Sequence, residues 1–300
     1  MIELMILIFD HPQVPDAARD PLLRMPIGRD IYLGSRLIIE TLERKIPEGS
    51  LGVETADQKA VQKLLQRWII DGGILSKLGQ LIPVDSPMLK DQNFIKDREE
   101  LTGRSWKKEE IQRMRPEAMA ETRDLFDFME TTLLADGRHW ILKTPKPSLA
   151  DIEAIWPFQW IVEIKGALPP SLVSAKIYPK VYAWIGRFNA AISSAKSSAP
   201  KPRSLKGAEA LKQIVSAGDN GPTLEIDGND PFHLRMGQNI EVWPIDSGFN
   251  HHEQGRLLGL SKDEVVLEAQ TKIGDKTVRV HAPRHGFRIR PATGGSGANL

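Results

Sequence analysis

The sequence contains no cysteine. Disulfide bonds, thiolate metal sites and cysteine nucleophiles are therefore excluded, and a chain without disulfides fits the cytoplasmic location that we expect here. An excess of charge is missing as well, because 40 Lys and Arg residues are balanced by 39 Asp and Glu residues, for a formal net charge of +1. This composition predicts no overall electrostatic attraction to nucleic acid or to an anionic membrane.

Long hydrophobic runs and familiar ligand motifs are also missing. The apolar stretch Met1–Phe9 contains Glu3, lacks a basic flank and is far shorter than the ~20 residues of a membrane-spanning helix, so we interpret it as a buried strand. The chain has no P-loop, no Gly-x-Gly-x-x-Gly, no Gly-x-Ser-x-Gly and no zinc signature. The run His251-His252-Glu253 lacks a third ligand at a recognisable spacing, so we predict no metal site.

Hydrophobic periodicity divides the 300 residues into parts of different character. Two short strands, Pro21–Leu23 and Asp30–Leu33, are predicted around a turn at Gly28, followed by a helix from Ser35 to Arg44. The predicted parts are a strand–helix segment (1–47), an all-helical domain (55–195), a Ser- and Pro-rich linker (196–222), a small module of five strands (223–291) and a Gly-rich disordered tail (292–300).

A helix start lies at the centre of the helical part. Ser148 is followed three residues later by Asp151, the spacing of a capping box in which each side chain meets the other residue's backbone N–H. The apolar run Ile152–Phe158 behind it predicts a buried helix. We therefore interpret Asp151 as a structural residue rather than a functional acid.

This order of segments resembles the C-terminal helical domain of glutathione transferases. In that family a capped, buried central helix is followed by a Pro-x-Val-x-x-Trp-x-x-Arg helix, and here Pro179, Val181, Trp184 and Arg187 follow at that spacing. The segment from Pro21 onwards resembles the second part of the family's thioredoxin-like half, which runs strand, turn, strand, helix.

The resemblance covers roughly residues 20–195, and the whole layout resembles fungal glutathione-transferase-like proteins. It implies a multi-domain α+β protein with a partial thioredoxin-like α/β segment, an all-α glutathione-transferase C-terminal-type domain and a small C-terminal β-barrel-like module. The family has a cis-proline before the first of the two strands. We assign this position to Pro21, with Pro26 as the alternative.

The resemblance also implies a site for glutathione as co-substrate. Ser35 matches the family serine that holds the γ-glutamyl carboxylate with backbone N–H groups, and helix N-termini favour anions in general. Pro21, Leu22 and Gly34 complete the implied site. The alternative is that Ser35 is a plain N-cap.

Two further residues are placed by the resemblance in a substrate pocket. Trp106 and Arg113 belong to the region whose helices wall the hydrophobic substrate site in this family. The alternative is that Trp106 packs in the core and that the arginine is solvated.

The sequence departs from the family at two points. Gly34 stands where the family has the acidic partner of its serine. The opening β-α-β unit is not recognisable in residues 1–20, and neither Tyr nor Ser precedes Tyr32. The usual thiol-activating hydroxyl therefore has no counterpart, and we assign no catalytic residue.

The resemblance favours an enzyme that conjugates or isomerises a small hydrophobic or electrophilic metabolite with glutathione, as a homodimer. The alternatives are a non-catalytic dimeric scaffold whose β module binds a protein partner, and a glutathione-independent enzyme of fungal specialised metabolism. The last two strands carry a basic strip that could bind an anion, although its lack of interleaved aromatic residues argues against nucleic acid. The strip comprises Arg279, His281, Arg284, His285, Arg288 and Arg290.

Overall fold

The computed structural model describes residues 24–218, 224–271 and 276–292. These residues divide into two compact units. The helical unit contains residues 46–99 and 103–199. The sheet unit contains the described parts of residues 11–45 and 200–300, together with residues 100–102. No helix in these described ranges is long and apolar enough to cross a membrane.

The elements follow the periodicity of the sequence. The α-helices of the described residues are α1 (Ser35–Lys45), α2 (Ala56–Asp71), α3 (Ile74–Gly79), α4 (Gln92–Thr102), α5 (Lys108–Phe128), α6 (Leu149–Glu163), α7 (Pro179–Ser198) and α8 (Gly207–Ser216). The strands are β1 (Arg24–Ile27), β2 (Asp30–Leu33), β3 (Asn239–Pro244), β4 (Glu253–Leu260), β5 (Glu264–Gln270), β6 (Thr277–Pro283) and β7 (Phe287–Pro291).

One seven-stranded sheet, in the order β1-β2-β6-β5-β4-β3-β7, organises the sheet unit. Neighbouring strands are antiparallel except β2 and β6, which run parallel with Ile31 opposite Val280 and Tyr32 opposite His281. The sequence predicted the first strands and the C-terminal strands as separate parts, whereas the structure joins them. A two-stranded hairpin is marginal alone, and β6 supplies the backbone partner that the β1–β2 hairpin lacks.

The individual strands lie close to their predicted positions. All five C-terminal strands are present, and β2 coincides with the predicted Asp30–Leu33. The predicted strand Pro21–Leu23 lies outside the described residues, and the observed partner of β2 begins at Arg24. The peptide bond before Pro26 is trans, so the alternative assignment of the cis-proline to this residue is wrong.

The core of the sheet unit lies on one face of the sheet. Ile31 and Leu33 of β2 pack there with apolar side chains of all five C-terminal strands, and Ile214 of α8 adds to this cluster. The sheet is curled. Evidence for this is the ion pair between Nη2 of Arg24 on β1 and Oε1 of Glu253 on β4, which are 2.6 Å apart although β4 lies four strands along the order from β1.

Close packing of the backbone in the curled sheet requires a glycine on β4. A Cβ at Gly255 would lie 2.2 Å from the carbonyl oxygen of Glu268 on β5. That distance is a steric clash, so any side chain at this position would push the two strands apart.

The helical unit is built around α6, which is buried as predicted. The carboxylate of Asp151 is fully buried and accepts four hydrogen bonds. Its Oδ2 accepts from the backbone N–H and the hydroxyl of Ser148, at 3.0 and 2.9 Å. Its Oδ1 accepts from the N–H of Ile141 and from Nε1 of Trp184, both at 2.9 Å. The structural role predicted for Asp151 is confirmed.

The start of α7 is capped from a distant part of the chain. Met129–Leu133 forms a π-helical turn after α5. Within this turn the carboxylate of Glu130 accepts from the N–H groups of Lys180 and Val181, each at 3.0 Å. A side chain fifty residues upstream thus satisfies donors that a helix start leaves unpaired.

Candidate functional site

The start of α1 follows directly from the end of β2. Gly34 has a φ of +75°, and its carbonyl accepts from the N–H of Ile38 at 3.2 Å. Gly34 is therefore the N-cap, and Ser35 is the first helical residue. The interpretation of Ser35 as a plain N-cap is wrong. A side chain at Gly34 would be strained in this left-handed conformation, which accounts for a glycine where the family has an acidic residue.

The N-terminus of α1 carries positive potential. The N–H groups of a first helical turn have no acceptor within the helix, and the helix dipole adds partial positive charge there. The first turn of α1 contains no acidic residue. Its second residue is Arg36, which is buried, and Ser35 is half-buried. The arrangement therefore suits an anion.

Two parallel strands end beside this helix start. Because β2 and β6 are parallel, their carboxyl ends lie at the same edge of the sheet. A Cβ on Gly34 would lie 3.8 Å from Cγ of Pro283, the last residue of β6. The residues that position Ser35 thus include the end of a C-terminal strand.

A charged cluster, which we call the Asp30 cluster, lies on the sheet face opposite the apolar core. It consists of Asp30 and Tyr32 on β2, Glu264 on β5, and Arg279 and His281 on β6. Nε2 of His281 lies 2.8 Å from Oδ1 of Asp30, and its Nδ1 lies 3.4 Å from Oε2 of Glu264. Arg279 contacts both oxygens of Asp30, at 2.6 and 2.9 Å. The ring of Tyr32 stacks on the imidazole, with centroids 4.4 Å apart.

Burial and charge act in opposite directions on this cluster. Burial lowers the pKa of His281, but hydrogen bonds and charges from Asp30 and Glu264 outweigh it, so the pKa is raised above its usual value. Burial raises the pKa of Asp30, but its bonds to His281 and Arg279 leave that pKa below its usual value. Burial, followed by the two nearby carboxylates, raises the pKa of Tyr32 to about 12.

The predicted basic strip is divided among different surroundings. Arg279 and His281 belong to the Asp30 cluster. Arg284 donates to Asp230 and to the carbonyl of Ser261. The side chains of Arg288 and Arg290 are exposed on β7. The strip is therefore not one continuous anion-binding surface.

The residues predicted for the substrate pocket lie in different environments. Trp106 is partly buried against the cluster of Ile82, Leu89 and Ile111, and its ring packs against Gly79. Arg113 is 68% exposed and pairs with Glu110 on the same helix. Their assignment to one pocket stays a prediction. Pro21 and Leu22, predicted for glutathione binding, lie outside the described residues.

Two of the three tyrosines of the sequence are buried. Tyr32 and Tyr178 are each 2% exposed, whereas Tyr182 is half-buried. Burial raises the pKa of all three, and nearby carboxylates add to the effect at Tyr32 and Tyr178. A phenol that stabilises a thiolate must reach the ligand, which the burial of Tyr32 and Tyr178 disfavours. We assign no catalytic residue.

His252 and Glu253, from the run His251-His252-Glu253, contact other side chains. His252 stacks on Trp243 with centroids 4.2 Å apart and contacts Glu241 at 3.2 Å. Glu253 is buried against Arg24. Across the described ranges, no group of three His, Asp or Glu residues is arranged to hold a metal ion.

Comparison with known proteins adds fold information. Residues 77–197 match a family model described as a domain of unknown function, DUF7962. No curated protein matches the sequence. Among solved structures, the chain is similar to a GST-like protein from Pseudomonas syringae, with a TM-score of 0.60 and 18% identity over 97% of this chain and 85% of that chain.

A second solved structure is similar over a smaller part of the chain. It is a glutathione S-transferase from Rhodospirillum rubrum F11, with 18% identity over 60% of this chain and 71% of that chain. Its TM-score of 0.37 is too low to establish a shared fold.

The chain therefore has a GST-like fold. The resemblance to glutathione transferases inferred from the sequence is confirmed at the level of the fold. The likeness to the Pseudomonas syringae protein extends over nearly the whole chain, and so is not confined to the helical unit. The fungal branch stays a prediction.

Proposed function

We propose that the protein binds glutathione at the start of α1 and uses its thiol on a small hydrophobic electrophile, by conjugation or isomerisation. One observation carries this proposal. In a chain with a GST-like fold, α1 begins at Ser35, directly after the β1–β2 hairpin, with a left-handed Gly34 before it and no acidic residue in its first turn. This is the arrangement by which that fold would hold a carboxylate.

The chemistry follows from the helix start. First-turn N–H groups and the Ser35 hydroxyl donate to the γ-glutamyl carboxylate of glutathione. By resemblance, Pro21 and Leu22 add backbone contacts. Donors and positive potential near the thiol favour its thiolate, which then attacks the electrophilic atom and forms a carbon–sulfur bond. For conjugation, the electron pair leaves with a departing group or is protonated on the substrate.

The second candidate function is a non-catalytic homodimeric scaffold. It is favoured by the burial of Tyr32 and Tyr178, two of the three tyrosines of the sequence. The helical unit also exposes large apolar side chains, with Leu64 at 69% and Leu75 at 53% exposure. Association between copies of the chain would cover such side chains if they form a contiguous patch.

Calorimetric titration with glutathione separates these functions. Ser35→Ala should weaken binding about ten-fold, a loss of about 1.4 kcal/mol. The matched control is Thr55→Ala, which removes the hydroxyl that accepts from the N–H of Gln58 at the start of α2. The control should bind as the wild type does.

Three results would redirect the assignment. Absence of heat with the wild type at several millimolar glutathione contradicts the proposal. A concentration-dependent mass without a ligand response then favours the scaffold. Turnover of a hydrophobic substrate without any thiol favours a glutathione-independent enzyme.

A further inference from the structure

His281 lies inside the sheet unit with a carboxylate at each ring nitrogen. It is 1% exposed. Its Nε2 faces Asp30 at 2.8 Å and its Nδ1 faces Glu264 at 3.4 Å. Ionised carboxylates accept hydrogen bonds but do not donate them. Both ring nitrogens must therefore carry protons to satisfy both contacts, and this geometry selects the imidazolium.

Charged groups of both signs lie around His281. Asp30 on β2 and Glu264 on β5 supply two negative charges, and Arg279 on β6 supplies one positive charge. Glu268 on β5 lies opposite Arg279 and pairs with Arg256. Tyr32 on β2 stays neutral, because its pKa is raised to about 12. An imidazolium places a cation between Asp30 and Glu264, and loss of its proton leaves these two carboxylates facing a neutral ring in a buried site, which is costly.

The helices packed against β6 differ in what they bring to this site. From α1, Arg44 is close enough to Tyr32 to influence its ionisation. On α8, Ile214 and Val215 pack on the apolar face of the sheet, away from the cluster. The charge state of His281 is thus governed by the members of the Asp30 cluster, with Arg44 at its margin.

The cluster connects the start of α1 to the C-terminal strands. Asp30 and Tyr32 are the first and third residues of β2, and β2 leads through Gly34 into α1. The parallel pairing with β6 is the backbone connection of β2 to the five C-terminal strands. The bond from His281 to Asp30 spans 251 residues of sequence across this pairing.

We propose that His281 is a positioning residue for the anion site at the start of α1: as an imidazolium between Asp30 and Glu264, it holds β2 on β6, and loss of its proton releases that hold. The identity of the anion as glutathione rests on the proposed function, whereas the positioning does not. The histidine contribution is fully present below the unfolded pKa of histidine and is lost as the pH rises through the raised pKa of His281, as long as Asp30 stays ionised.

His281→Gln tests the hold directly, because glutamine approximates the size of the ring but cannot be cationic. The matched control is His252→Gln, which changes a histidine of the same sheet that also contacts a carboxylate but is 36% exposed. Amide hydrogen exchange at pH 6 should be at least ten-fold faster in residues 31–37 of His281→Gln and unchanged in His252→Gln. Exchange in α6 should be unchanged in both.

Glutathione affinity across pH 6 to 9.5 provides the second readout. His281→Gln should bind about ten-fold more weakly than the wild type at pH 6, and the difference should shrink as the pH rises through the raised pKa of His281. The His252→Gln profile accounts for the ionisation of glutathione itself. Absence of binding by the wild type while the exchange result holds would refute the proposed function and leave the positioning role intact.

A third measurement needs no substitution at His281. The NMR titration of the His281 imidazole in the wild type should share its midpoint with the pH at which amide protection in residues 31–37 falls, after correction for the intrinsic pH dependence of exchange. Glu264→Gln should move both midpoints to lower pH, because it removes one carboxylate. Separate midpoints, or exchange in His281→Gln equal to that of the wild type, would overturn the proposal.

Discussion

The two units each bury an aspartate, and the two carboxylates are satisfied in different ways. In the helical unit, Asp151 accepts four hydrogen bonds from neutral donors, all within 33 residues in sequence. In the sheet unit, Asp30 contacts the side chains of Arg279 and His281, about 250 residues away. The neutral donors to Asp151 do not change their charge between pH 5 and 8, whereas a histidine partner can lose its proton in that range.

Asp151→Ala should give the largest effect, because it leaves four buried donors without an acceptor. An unsatisfied buried donor costs about 1–3 kcal/mol, so we expect the free energy of unfolding to fall by about 4 kcal/mol or more. Urea denaturation measures this. Asp124→Ala, at an exposed position on α5, should leave the unfolding midpoint nearly unchanged. A similar small effect from Asp151→Ala would show that the helical unit does not depend on its buried carboxylate.

Asp30→Asn should cost about 3 kcal/mol at pH 7, because removing one partner of a buried ion pair leaves the other charges uncompensated. It should also flatten the pH dependence of stability. In the wild type, the stability contributed by Asp30 is fully present above the pKa that Asp30 has in the unfolded chain. This contribution is lost as the pH falls through the lowered pKa of Asp30 in the folded protein. The stability contributed by His281 is fully present below the pKa that His281 has in the unfolded chain. This contribution is lost as the pH rises through the raised pKa of His281 in the folded protein.

Thermal melting of the Asp30→Asn variant from pH 3 to pH 10 checks this prediction. The control is Asp263→Asn, whose carboxylate is 64% exposed and pairs with Lys262. The control should keep the wild-type pH profile. If Asp30→Asn retains both losses of stability, the Asp30 cluster is not their source.

Ser148→Ala should have the smallest effect of the three, a loss of about 1 kcal/mol in the free energy of unfolding. It removes only one of the four donors to Asp151, the hydroxyl at 2.9 Å. Ser148→Thr, which keeps a hydroxyl, should lie closer to the wild type. A loss as large as that of Asp151→Ala would mean that the capping hydroxyl, rather than the carboxylate, organises this helix start.

The surroundings of Asp151 in the helical unit could be predicted from local sequence patterns. The capping box Ser148–Asp151, the buried helix behind it and the strand positions follow from spacing within a few residues. The start of α1 at Ser35 was predicted in the same way. Its N-cap was not, because the left-handed conformation of Gly34 becomes evident only once β2 and α1 are joined.

The surroundings of Asp30 in the sheet unit could not be predicted in this way, because they depend on contacts between distant parts of the chain. Parallel pairing of β2 with β6 leaves no local signature, since parallel strands need long connections. The period-two placement of Arg279 and His281 put both on one face of a strand, and Asp30 and Tyr32 share a face in the same way. Matching these two pairs by charge could have indicated that the strands are neighbours.

The central claim is that an anionic ligand, glutathione, binds at the start of α1. Chemical-shift mapping of isotopically labelled protein during a glutathione titration tests it most directly. We predict saturable shifts centred on the amides of Ser35, Arg36 and Leu37, which Ser35→Ala reduces and Thr55→Ala leaves in place. Saturable shifts elsewhere, or none at several millimolar glutathione, would contradict the claim.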